Sequence, residues 1–185
     1  MGHVAAKCRF FLFRDSLLEC IEQGMLHTVK VIRYNVKDKC SELWTKDWLQ
    51  INKKPLALLE DYCSNYGLSV SGSQGAIRRH LNILHKVPIL VHPLLQCYFL
   101  PTMAPNQHDC IFINAKRIHS TKAVGCDTLI IFDDETNMVV PLGHRAIKKQ
   151  VERAKRMAMH IQRQYQLDHL SLESSLNTGI MRILS

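Results

Sequence analysis

The stretch from Lys86 to Asn114, KVPILVHPLLQCYFLPTMAPNQHDCIFIN, decides the fold. It carries four of the six prolines of the chain, Pro88, Pro93, Pro101 and Pro105, with three short apolar runs set between them. A proline has no N–H to donate and clashes with the turn before it, so no helix runs through this segment. Short apolar runs bounded by turn formers instead describe strands folded back on one another. Strands are expected at Ile89 to Val91 and at Cys97 to Leu100, joined through His92-Pro93-Leu94-Leu95. After a loop at Pro105 to Asp109 comes CIFINAKRI, where Ile111, Ile113 and Ile118 alternate with their neighbours.

Outward to the C-terminal side, Leu129 to Phe132 is a β-branched and aromatic run. It meets the turn residues Asp133-Asp134-Glu135-Thr136-Asn137 and pairs with Met138 to Leu142 as a hairpin. From Gly143 the period changes. Ile147, Val151, Ala154, Ala158, Ile161 and Tyr165 recur at steps of four and three, one face of a long helix. Arg145, Lys149, Arg156 and Arg163 fall on the opposite side, with Lys148, Arg153 and Lys155 flanking. Glu152 is the sole acid from Gly143 to Tyr165. Solvated faces usually mix signs, because like charges one turn apart repel, so an uncompensated basic face points to an anionic partner.

Outward to the N-terminal side, Pro55 suits the first turn of a helix carrying Leu56, Leu59 and Cys63, with Gly67 as its stop. The small-residue loop SVSGS follows, and Ser71 or Ser73 is expected to cap a second helix with Ile77, Leu81 and Leu84 on one side. Arg78, Arg79 and His80 lie toward its exposed side. This Gly/Ser loop lacks the G-x-x-x-x-G-K-[ST] pattern and a preceding strand, so it reads as an interhelical turn rather than a nucleotide cradle. Thr28 to Val36 alternates as a half-exposed strand. Leu43 to Ile51 reads as a strand or a helical turn, its Trp44 and Trp48 four apart. Residues 10 to 26 have the spacing of a short helix ended by Gly24, and the tail beyond Asp168 has weak helical periodicity, as a docking segment would.

The expected architecture is α+β: one domain with a mostly antiparallel β core, two short helices before it and a long basic amphipathic helix after it. Residues 1–28 read as an extension, 29–165 as the domain and 166–185 as a tail. A chain of 185 residues, 46% hydrophobic, can bury a core of that size. Its net charge of +8 favours an anionic partner, nucleic acid above all, although an acidic protein surface or a membrane surface would answer the same field.

The seven cysteines are odd in number, widely spaced and without a C-x-x-C pair, which speaks against a disulfide framework and for a reducing cytoplasm. His108 with Cys110 and His80 with His85 lack a second pair at zinc-finger distance, so no metal is expected. Cys110 has no nucleophile signature around it, and the acids at Asp133 to Glu135 are explained by turn chemistry. Nothing here specifies an enzyme, a catalytic residue, a cofactor or a membrane span.

The order of motifs is more specific than any one of them. Lys54-Pro55-Leu56, Cys63, Tyr66-Gly67, Ser69 and Gly72 are followed by Lys86, Pro88-Ile89, Pro93, Tyr98-Phe99, Pro101-Thr102 and Cys110. This series resembles the ComK family of bacterial competence transcription factors, over roughly residues 29 to 157. The resemblance implies a cytoplasmic, nucleoid-associated DNA-binding activator of DNA-uptake and recombination genes. It further implies a homo-oligomer acting on paired A/T-rich boxes through the minor groove, and an adaptor that delivers members to a Clp protease. Two departures stand out. Ser73 and Gln74 occupy the place where a basic residue is expected after Gly72, and no aromatic-rich adaptor motif follows Tyr165.

Lys and Arg neutralise phosphates and read a narrow A/T minor groove by shape. The residues expected to contact double-stranded DNA are therefore Arg78, Arg79, Lys86, Lys116, Arg117, Arg145, Lys148, Lys149, Arg153 and Arg156. The alternative is a regulatory or assembly module whose basic helix docks on an acidic protein.

Overall fold

A computed structural model describes residues 26–183, with side chains described to residue 168. The helix expected over residues 10 to 26 lies outside the described residues apart from its last position. Nine strands and three helices follow in the order β1 (Val31–Asn35), β2 (Cys40–Trp44), β3 (Trp48–Ile51), α1 (Pro55–Ser64), α2 (Val70–Leu81), β4 (Ile89–His92), β5 (Cys97–Pro101), β6 (Phe112–Asn114), β7 (Ile118–Val124), β8 (Asp127–Phe132), β9 (Asn137–Val140) and α3 (His144–Ile183). Six strands form one sheet in the order β3-β2-β1-β6-β5-β4, and β7-β8-β9 form a second. Every neighbouring pair is antiparallel.

The Pro-rich stretch supplies β4, β5 and β6, half of the large sheet. Pro88 precedes β4, Pro93 opens the turn in which Gln96 N–H donates to the Pro93 carbonyl, and Pro101 closes β5. The prolines thus stand where strands begin, turn or end, as a residue without a donor must.

Both faces of this sheet are covered. On one, Ile32, Leu43, Phe99 and Phe112 pack against Leu58, Leu59, Tyr62 and Cys63 of α1. On the other, Val31, Tyr98, Leu100 and Ile113 meet Ile130 and Phe132 of β8, Val140 of β9, and Ile147, Ala154 and Met157 of α3. Two-sided burial erases the alternation expected of a half-exposed β1, since Val29, Lys30, Val31 and Ile32 are all buried.

Helix α2 closes the β4 edge. Its Ser73 Oγ accepts from Leu90 N–H at 2.7 Å, and Gln74 Nε2 donates to the Val87 carbonyl at 3.1 Å. Ser73 and Gln74 are therefore buried and committed to the sheet. The cap of α2 is Ser69, which accepts from Gly72 N–H at 3.0 Å, rather than Ser71 or Ser73. Leu84, expected on its apolar side, lies beyond the helix end and is 76% exposed. Helix α1 starts at Pro55 as expected and ends at Ser64, with Gly67 at φ +67° just beyond.

Trp44 and Trp48 lie across a hairpin rather than on one helical face. They are directly opposed in the β2–β3 register and stack at 5.5 Å. No helix among the described residues is long and apolar enough to cross a membrane.

Candidate nucleic-acid interface

Helix α3 carries the densest charge. Its inner face is Ile147, Gln150, Ala154 and Met157, all buried, with Val151, Ala158 and Ile161 half-buried beside them. The three-and-four spacing that buries these residues turns Arg145, Lys148, Lys149, Lys155, Arg156 and Arg163 to solvent. None of Arg145, Lys148, Lys149 and Arg156 has an ion-pair partner among the described residues. Tyr165, expected on the apolar stripe, is 48% exposed.

The end of α2 meets the middle of α3. The rings of His80 and His160 lie 3.6 Å apart between centroids. Arg153, half-buried, donates through Nη1 to the His85 carbonyl at 3.1 Å. Arg79, next to His80 in the sequence, is exposed near this helix junction. Arg78 takes another direction and lines the groove toward α1 with Glu60 and Gln74.

Of the remaining expected contacts, Lys116 and Arg117 have local partners. Lys86 is half-buried at φ +49° just before β4. Lys116 Nζ donates to the Leu95 carbonyl at 3.1 Å, bracing the β4–β5 turn. Arg117 Nη2 pairs with Asp133 Oδ1 at 3.0 Å, and the Asp133 N–H donates to the Arg117 carbonyl.

The acidic turn after β8 is thus an attachment point between the two sheets. Beside the Arg117 pair, Lys30 Nζ is 2.8 Å from Asp134 Oδ2 and 2.8 Å from Thr136 Oγ1, and lies 4.3 Å from the centre of the Trp44 ring. The hydrogen bond from Lys30, joined by that of Thr136, holds the Asp134 carboxyl at about 2. Lys30 falls at a polar position of the expected half-exposed strand, yet it is buried, because its partner lies 104 residues away and no local pattern announces it.

No group of three or more His, Cys, Asp or Glu side chains converges as a metal site among the described residues. The thiols of Cys63 and Cys97 are pushed up to about 12 by burial, which leaves them small core residues rather than nucleophiles.

Comparison with known proteins gives the family. The family model described as ComK protein matches residues 26–166. The chain belongs to the ComK family. A protein of Bacillus subtilis (strain 168) named competence transcription factor is 29% identical over 129 residues, 68% of this chain and 67% of that protein. No solved structure matches.

The ComK-like motifs now have physical roles, and these are structural. Ser69 and Gly72 form the α2 cap, where a Cβ at position 72 would stand 2.8 Å from Ser69 Oγ. Thr102 Oγ1 accepts from Ile111 N–H at 3.0 Å, and Cys63 Sγ donates to the Leu90 carbonyl at 3.6 Å. The motifs identify the scaffold, while the exposed charge lies on α3 and the end of α2.

Proposed function

We propose that this protein is a DNA-binding regulator of competence genes, an activator that acts from A/T-rich promoter boxes as a homo-oligomer in the bacterial cytoplasm. The observation that carries the reading is the basic outer face of α3, on which Glu152 is the sole acid from Gly143 to Tyr165, joined by the end of α2. Family membership and the name of the Bacillus subtilis relative, competence transcription factor, support the competence role. In this reading Arg145, Lys148, Lys149 and Arg156 of α3, with Arg79, contact phosphates or enter a narrow groove, where their charge gives salt-dependent affinity and shape readout. Lys86 and Lys116 add their charge to the field of this surface, and Arg78, which lines the groove toward α1, adds to it from farther away. Arg153 and Arg117 hold the elements that present it.

Selection of bound sequences from a random duplex pool tests the reading. Enrichment of paired A/T-rich boxes is the expected outcome. Recovery of unenriched sequence would leave a non-specific binder, and no recovery at all would favour a basic helix that docks on an acidic protein.

A further inference from the structure

The junction of α2 with α3 is made by two histidines. The rings of His80 and His160 lie 3.6 Å apart between centroids, at an interplanar angle of 32°. His80 is exposed and His160 half-buried, so the pair is reached from solvent. Neither ring has a hydrogen-bond or ion-pair partner among the described residues.

The charges placed around the pair are of one sign. On α2, Arg78 and Arg79 directly precede His80, both are exposed, and the helix holds no acid. On α3, Arg156 stands one turn before His160 and Arg163 one turn after it, both exposed. In the segment after α2, the His85 carbonyl accepts from Arg153 at 3.1 Å, and Lys86 is half-buried. The acids of α3 nearest to His160 in the sequence, Glu152 and Asp168, each stand about 12 Å away along the helix axis.

An imidazole ordinarily titrates near pH 6.5 and, once protonated, donates from both ring nitrogens. Two imidazolium rings this close repel one another, so the charged form of such a pair calls for an anion beside the rings. A phosphate oxygen suits a basic junction open to solvent, because it accepts charge-assisted hydrogen bonds from two donors. A metal ion would take the neutral rings, but no third His, Cys, Asp or Glu joins the pair among the described residues.

We infer that His80 and His160 form a proton-dependent clip for one phosphate of the DNA duplex, each ring donating to it after taking a proton from solvent. The phosphate favours the charged rings, and by reciprocity the charged rings favour the phosphate. Affinity for the duplex therefore rises as the pH falls from about 8 to about 6. The inference rests on the DNA reading above and adds to it a contact made by neither lysine nor arginine.

The test titrates the full chain with a labelled A/T-rich duplex at about pH 6 and about pH 8, in the presence of EDTA, for the parent and for His80→Gln/His160→Gln. At the lower pH the variant should bind about tenfold more weakly, with a log–log salt slope shallower by about 1, the share of one phosphate. At the higher pH, where an ordinary imidazole is neutral, the two proteins should bind alike. Calorimetry in buffers of different ionisation enthalpy should show proton uptake on binding by the parent that the variant lacks. Should the double variant fail to fold, His80→Gln at the exposed position is read in the same way. No difference between parent and variant at the lower pH would overturn the clip. A difference as large at the higher pH would also overturn it and leave the pair as helix packing. A parent that binds the duplex at neither pH would overturn the DNA reading together with the clip.

Discussion

The ammonium of Lys30 and the carboxylate of Asp134, 104 residues apart, meet at 2.8 Å and tie the central strand of the large sheet to the turn of the small one. Lys30 is wholly buried while Asp134 is a third exposed, so the two ends of this bond are not equivalent. Removing the acid strands a buried cation, whereas removing the cation lets the acid hydrate. Asp134→Asn should therefore cost roughly 3 kcal/mol and Lys30→Met distinctly less, by denaturant unfolding at neutral pH.

The same pair sets an acid limit. A carboxyl held at about 2 in the folded state, below its ordinary value of 3.8, stabilises the fold above the ordinary value. That contribution is lost as pH falls from about 4 towards about 2. Stability measured across this range should fall more steeply for the parent than for Asp134→Asn. Parallel curves would show that Asp134 titrates normally.

At the α2 cap, Ser69→Ala removes the acceptor for Gly72 N–H and should cost about 1 kcal/mol. Gly72→Ala should cost a similar amount or more, because its Cβ would press on the same Ser69 oxygen. The double variant should cost less than the sum, since both changes break one cap. Strict additivity in urea unfolding would contradict that shared origin.

Arg117 and Lys149 separate structure from contact. Arg117 is engaged with Asp133, whereas Lys149 is exposed with no ion pair among the described residues. Arg117→Gln should lower thermal stability and leave the duplex affinity of the folded fraction within about threefold, as for a residue remote from the contact. Lys149→Gln should do the reverse.

These contrasts also explain what could be read from the chain alone. Pro55, the runs Ile89 to Val91 and Cys97 to Leu100, the terminal hairpin and the inner stripe of α3 are local signals, and each produced its element. Trp44 and Trp48 were ambiguous because a spacing of four suits one helical face and also the two sides of a tight hairpin. Strand β7 went unread because its exposed residues carry no apolar period. Ser69 was hidden among neighbouring serines. The pairs Lys30 with Asp134 and His80 with His160 join residues far apart in sequence, where charge and period say nothing about who meets whom. For the interface, the basic face of α3 was legible, but the local engagements of Lys116, Arg117 and Arg153 were not.

The central claim is that α3 presents its outer charge to DNA. Titrating a labelled A/T-rich duplex at several salt concentrations, with parent and with Lys149→Ala/Arg156→Ala of verified fold, tests it most directly. The account predicts strong salt-dependent binding by the parent, and in the double variant a weaker affinity whose log–log salt slope is shallower by about 2, one for each lost phosphate contact. Equal affinity and equal slope would contradict it.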